Sequence, residues 1–244
     1  TPGKNCKGGG GGGGGADLRS FLAEYFQLGV SLEAQYEKWE RSSPDYFTPE
    51  VSRMLAGVRV LAQDPWETLL CFITSSNNNI PRIHKLMEDL RSRYGDLLLT
   101  VDGGEGADPI KIHAYPTLEQ LAAVKDEEFR ALGFGYRAKF FVGMCELLRS
   151  ADSPLDPLTL LPAGNPSPTI DDIAAALQLI PGVGRKVADC VALFSLGLKA
   201  ADVVPVDTHV FQMAARWEPS LLEPPKKRLK KAKGGEGGVE GGVE

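Results

Sequence analysis

Cysteine is scarce in this 244-residue chain, and its four copies, Cys6, Cys71, Cys145 and Cys190, stand far apart with no metal-ligand spacing. That pattern argues against a structural zinc or a four-cysteine iron–sulfur cluster and suits a reducing compartment. No apolar run approaches the ~20 residues a bilayer-spanning helix needs, so no membrane partner is expected. The chain opens at Thr1 with no initiator Met and no signal peptide, as a fragment or partial gene model would. Positive charge is also short. The formal net charge is −5 and the pI is near 5.4, a balance that by itself argues against nucleic acid, although the distribution of charge matters more than its sum. Six Lys and Arg crowd into Lys226–Lys233, which leaves the rest of the chain more acidic than the total suggests.

Hydrophobic residues make up 43% of the chain, enough to fill a core. Residues 1–16 are a low-complexity lead with eight consecutive glycines, expected to be disordered. Helical spacing begins near Asp17 with Leu18, Phe21, Leu22, Tyr25 and Phe26. Ser31, Thr48 with Pro49, and Asp64 with Pro65 and Glu67 read as helix starts. The helix after Asp64 is expected to send Leu69, Leu70, Phe72 and Ile73 into the core and to break in the polar run Thr74–Asn79. Another helix follows through Leu86, Met87 and Leu90, and residues 100–114 read as a Gly- and Asp-rich loop. Thr117 and Gln120 have capping-box spacing, and Leu132–Arg137 forms a glycine hairpin ahead of a helix through Phe141 and Leu148. A Pro-rich loop over 152–168 leads to a helix starting at Thr169, and the last helix runs to Trp217. The expected architecture is therefore a mainly α core over 17–217. The tail 218–244 is expected to be disordered, and its basic block after Pro224-Pro225 reads as a nuclear localisation signal.

The stretch 177–209 organises the rest. Pro181 ends one helix, and Gly182 and Gly184 supply a tight turn with φ values that other residues avoid. A second helix starts near Arg185, so bare N–H groups lie at a helix N-terminus that suits a phosphate oxygen. Lys186 falls in the first turn, where the helix dipole disfavours a cation, and such misfits mark function. An amine can attack the anomeric carbon of a nucleotide, expel the base and remain as a Schiff base. A carboxylate such as Asp207, at the expected N-cap of the last helix, can stabilise the positive charge developing on the sugar. Taken alone, Lys186 is better read as an exposed helix residue, Asp207 as a cap and His209 as a surface residue; the glycine hairpin before Lys186 and Val-Pro-Val before Asp207 favour the catalytic reading. The amide loop Asn77-Asn-Asn ahead of Arg82 could bond an unpaired base, or be a polar turn closed by a surface Arg. Tyr136 with Arg137 could be an aromatic wedge beside a base reader, or a ring packed on the core. Cys190, one turn after Lys186, lines a pocket if one lies there and otherwise needs no role beyond packing.

Four ordered motifs carry a resemblance. Ser-Ser-Asn-Asn-Asn-Ile-Pro-Arg (75–82), Leu-Gly-Phe-Gly-Tyr-Arg (132–137), Leu-Ile-Pro-Gly-Val-Gly-Arg-Lys-Val-Ala-Asp-Cys (179–190) and Val-Pro-Val-Asp-Thr-His (204–209) resemble the helix-hairpin-helix DNA glycosylase superfamily. Within it, they look like the eukaryotic-type 8-oxoguanine DNA glycosylase/AP lyase. The resemblance implies that Lys186 is the Schiff-base nucleophile and Asp207 its carboxylate partner. Asn77 would fill the void left by the extruded base, Tyr136 would be the wedge, and Arg82 and Arg137 would read the orphaned cytosine. Gly182, Gly184, Val187 and His209 would face phosphates, and Cys190 would line the base pocket. The family also has an antiparallel β domain before the first helix and a C-terminal helix that reads the extruded base; neither is expected in this chain. The reaction implied is removal of 8-oxoguanine opposite cytosine followed by β-elimination, on damaged double-stranded DNA. It needs no cofactor and no metal, and is carried out by a monomer in the nucleus, with the mitochondrion as a second location. Two rivals stay open: a glycosylase of different lesion preference, and a DNA-binding module that keeps the hairpin but no pocket.

Overall fold

The computed structural model describes residues 14–104, 106–157, 159–165, 167–196 and 203–219. Most of the glycine lead and the whole basic block therefore lie outside the described residues. The chain divides into two units, residues 1–205 and 206–244. In the first, the helices are α1 (Gly14–Tyr25), α2 (Leu32–Ser42), α3 (Pro49–Met54), α4 (Pro65–Ser75), α5 (Ile80–Tyr94), α6 (Leu118–Ala122), α7 (Asp126–Ala131), α8 (Ala138–Arg149), α9 (Ile170–Leu177) and α10 (Arg185–Leu196). The second contributes α11 (Thr208–Trp217).

Side-chain caps set most helix starts, as the sequence predicts. Ser31, Thr48 and Asp64 accept bonds from Ala34, Val51 and Glu67 N–H, and both Thr117 with Gln120 and Thr169 with Asp172 close full capping boxes. Each such cap is worth about 1 kcal/mol. Two starts differ. The first helix begins at Gly14, three residues before Asp17, and the helix opened by Thr117 breaks after Ala122 and restarts as α7. The larger departure is a β-ribbon. Leu97–Val101 (β1) and Ile110–His113 (β2) pair antiparallel across the stretch read as loop, with Thr100 opposite Lys111. The Gly and Asp residues that suggested a loop occupy only the connection, and the apolar runs on either side form strands of extended backbone.

The core gathers around α4, α5, α8 and α10. Leu69, Leu70 and Ile73 of α4, Leu90 of α5 and Ala188 of α10 have no exposed surface. Phe129, Phe134 and Phe141 interlock with ring centroids 4.9–5.9 Å apart, Phe134 meeting both of the others edge to face. Phe72 differs from its expected place: it is only half-buried and stacks at 5.5 Å on Phe194 of α10.

The turn between α9 and α10 is held by two close approaches. Pro181 lies so near Gly143 of α8 that a Cβ there would meet Pro181 Cγ at 2.9 Å. Gly182 has φ +85°, and a Cβ on it would come within 2.6 Å of the Phe140 ring. Gly184 departs from expectation: it has no left-handed φ, and a Cβ on it meets nothing within 4 Å. Of the two glycines in this turn, Gly182 is the one whose backbone conformation calls for glycine. Gly182→Ala is expected to cost about 2–3 kcal/mol through left-handed strain plus overlap with Phe140, lowering the melting midpoint by about 4–10 °C in a calorimetric scan.

Candidate nucleic-acid interface and lysine site

The hairpin leaves α10 with donors and no side-chain cap of its own. Gly184 C=O accepts from Ala188 N–H at 3.0 Å, which makes Gly184 the residue before the first turn. Glycine has no side chain to bond the first-turn N–H groups, so they remain available to an anion. The two cations that follow are treated differently. Arg185 donates from Nε to Asp189 at 2.8 Å, and its Nη2 lies 3.9 Å from the exposed Asp171, so Asp189 is its main partner. Asp189 is buried, and the pair keeps its charge compensated. Lys186 is half-buried, and among the described residues of the first unit it has no carboxylate partner. Its Nζ instead lies 5.0 Å from the centroid of the Phe72 ring. Val187 and Cys190 are buried on the same helix, with Cys190 four residues beyond Lys186.

The two other loops singled out in the sequence meet each other. Tyr136 donates its hydroxyl to Ser76 C=O at 3.1 Å, and Arg82 Nη2 donates to Gly133 C=O at 3.0 Å. Asn77 is exposed with φ +47°, a conformation that asparagine tolerates better than most residues. Asn78 Nδ2 donates to Thr74 C=O at 3.0 Å, and Asn79 caps α5 by accepting from Arg82 N–H at 3.1 Å.

Arg137 occupies a place the sequence did not suggest. Expected as an exposed reader beside Tyr136, it is 2% exposed. Its guanidinium donates to Ser76 C=O from Nε and Nη2 and to Asn77 C=O at 3.0 Å, beneath the Tyr136 ring at 4.6 Å. The physical reason is the end of α4. Carbonyls left without helical partners there would be costly to bury, and a planar cation with several donors satisfies two of them.

Sequence reasoning missed Phe140 and Phe72. Phe140 joins the loops to the hairpin: its ring lies 5.8 Å from that of Tyr136 and fills the space against Gly182. The only signal for it is its position four residues after Tyr136, on the same helical face. Phe72 carries no signal that separates it from its fully buried neighbours.

In the second unit, Asp207 caps α11 as expected, its Oδ1 accepting from Val210 N–H at 2.8 Å. His209 is exposed in the first turn. Among the described residues no group of three or more His, Cys, Asp or Glu is arranged to hold a metal ion, and no helix is long and apolar enough to cross a membrane. Burial pushes the Cys145 thiol up to about 12 and raises that of Cys71, so both are weak nucleophiles near neutral pH.

Comparison with known proteins bears on these sites. The family model for the 8-oxoguanine DNA glycosylase N-terminal domain matches residues 13–69, and that for HhH-GPD superfamily base excision DNA repair proteins matches residues 70–234. The first match covers α1–α3 and the opening of α4, and the described residues of this stretch contain no β-strand. An N-glycosylase/DNA lyase of Saccharomyces cerevisiae is 38% identical over 82% of this chain and 51% of its own length. The N-glycosylase/DNA lyase OGG1 of Arabidopsis thaliana is 39% identical over 80% and 50%. The chain thus spans about half the length of the curated relatives it matches. Among solved structures, MBOgg1 in complex with a low-affinity DNA ligand is similar at a TM-score of 0.71, with 28% identity over 90% of this chain and 70% of that one. The Clostridium acetobutylicum 8-oxoguanine glycosylase/lyase, in complex with double-stranded DNA containing cytosine opposite 8-oxoguanine, gives 0.66, with 27% identity over 89% and 67%. A helical fold, a glycine hairpin feeding a lysine-bearing helix, and a family match over most of the sequence agree: the chain belongs to the HhH-GPD superfamily of base excision DNA repair proteins.

Proposed function

We propose that this chain acts as a DNA N-glycosylase with associated lyase action, removing 8-oxoguanine opposite cytosine from double-stranded DNA. The observation that carries the reading is the contrast at the start of α10. Arg185 is paired with the buried Asp189, while its neighbour Lys186 has no carboxylate partner among the described residues of the first unit and lies directly behind the open hairpin. The relatives' names, N-glycosylase/DNA lyase, support the same chemistry.

In this reading the hairpin N–H groups around Gly182 and Gly184, with Val187, take the backbone phosphates, and His209 adds a further contact. The target nucleotide leaves the stack, Asn77 fills its place and Tyr136 wedges the neighbouring step. Lys186 Nζ attacks C1′ as the bond to the base breaks. The sugar ring opens to a protonated Schiff base, and loss of a C2′ proton then expels the 3′ phosphate by β-elimination. Asp207 supplies the carboxylate that stabilises positive charge on the sugar and assists proton transfer. Cys190 lines the base pocket. Arg82 and Arg137 read the orphaned cytosine, at different costs. Arg82 is exposed and gives up one bond to Gly133, whereas Arg137 must release the carbonyls of Ser76 and Asn77. The enzyme acts as a monomer, and the basic run Lys226–Lys231 supports a nuclear address.

Borohydride trapping on duplexes with 8-oxoguanine or an abasic site opposite cytosine tests this. An adduct on the 8-oxoguanine duplex that disappears in Lys186→Gln is the expected result. An adduct on the abasic duplex alone would mean that the lysine works without a base pocket. None on either would leave a DNA-binding module. The hairpin makes a separate prediction: Gly184→Ala should cost no more than about 1 kcal/mol of stability, because its Cβ meets open space and only the N-cap preference for Gly over Ala is lost. It should still weaken duplex binding by about 3–10-fold in a fluorescence anisotropy titration, by obstructing the close backbone approach of a phosphate.

A further inference from the structure

We propose that Phe72 is the positioning residue for the Lys186 amine, its ring seating the nitrogen whenever that nitrogen is cationic. The inference rests on Lys186 being the Schiff-base nucleophile.

Three observations lead to it. The Lys186 Nζ is 5.0 Å from the Phe72 centroid, inside the range of about 6 Å over which an aromatic face attracts a cation. Phe72 packs at the edge of the core, not inside it. Leu69, Leu70 and Ile73 beside it on α4 have no exposed surface, whereas Phe72 is only partly buried and keeps part of its ring accessible. The ring is also backed: Phe194 stacks on it at 5.5 Å with the planes 25° apart, and the Phe194 carbonyl accepts from Gln63 N–H at 2.7 Å. The seat is therefore a fixed pair of rings joining α4 to α10, and the lysine reaches it from the first turn of α10.

The chemistry favours a π-face over a carboxylate here. At an abasic aldehyde, the lysine ammonium and the carbonyl become a protonated imine and water. A C–N double bond forms, the C–O double bond breaks, and the oxygen leaves with two protons that balance those lost by the ammonium. The ammonium first gives one proton to solvent, so that its lone pair can attack the carbonyl carbon, and positive charge returns to the nitrogen as water leaves; the nitrogen is cationic before and after the attack and neutral during it. A carboxylate paired to the ammonium would have to be left behind as the nitrogen moves to carbon. A ring face imposes no directional bond and accommodates both the ammonium and the iminium. It also narrows the rotamers of a long, flexible side chain, and so favours near-attack geometry.

Replacing Phe72 by mono-, di- and trifluorophenylalanine drains the ring's π density with almost no change of shape. The single-turnover rate of Schiff-base formation on an abasic duplex, trapped with borohydride, should fall stepwise by about 3–10-fold across the series. Duplex affinity and the melting midpoint should stay constant. Phe72→Trp should keep the rate that Phe72→Leu loses. A flat or rising series, or a Leu variant as fast as the parent, overturns the proposal. A readout independent of activity accompanies it: in proton NMR the Lys186 ε-methylene should be shifted upfield by the ring current, and Phe72→Leu should abolish that shift. Absence of the shift overturns the seating even in a chain that forms no adduct. Absence of any adduct in the parent protein, with the shift present, refutes the nucleophile reading and leaves the seat standing.

Discussion

In the first unit, the candidate site depends on how closely the α9–α10 turn and α8 are allowed to approach. Pro181 sits against Gly143 and Gly182 against Phe140, and at neither glycine is there room for a single added carbon. This joint fixes the α9–α10 turn onto α8 and thereby decides where the first turn of α10 points. Because interiors are packed to the density of crystals, a joint without slack transmits position rather than absorbing it. Arg185 and Lys186 inherit their placement from it. So does Tyr136, whose ring rests on the same Phe140 that closes over Gly182.

A second constraint is polar. The end of α4 leaves carbonyls at Ser76 and Asn77 beneath the loop that carries the exposed amide, and Arg137 satisfies both from within the protein. One buried guanidinium thus ties the amide loop to the glycine loop ahead of α8. The charge is tolerable there because its donors are engaged and the Tyr136 ring covers it. The loops that carry Asn77, Arg82 and Tyr136 are held as one surface by hydrogen bonds that sequence spacing does not reveal, since the partners lie about sixty residues apart.

The helix starts were legible because capping is local: Ser31, Thr48, Asp64, Thr117, Thr169 and Asp207 each bond a donor three residues on. The hairpin was legible for the same reason, although the equal weight given to its two glycines was not correct, because neighbouring φ values and the Phe140 ring separate them. What stayed hidden was long-range. The β-ribbon needs two segments to find each other across a polar connection. The burial of Arg137 depends on carbonyls from another helix. Phe72 reads like any other apolar residue of an amphipathic helix, and only its distance from Lys186 distinguishes it.

The three asparagines at 77–79 have identical chemistry and three separate fates. Asn79 gives its oxygen to the start of α5, Asn78 gives its amide to Thr74, and Asn77 stands exposed in left-handed backbone. Two thirds of the run is scaffolding for the remaining residue, and the whole run is anchored to the helix on either side. A homopolymeric stretch that looks interchangeable on paper is therefore directional: moving the triplet by one residue would keep its composition while leaving α5 without its cap and the exposed amide out of place.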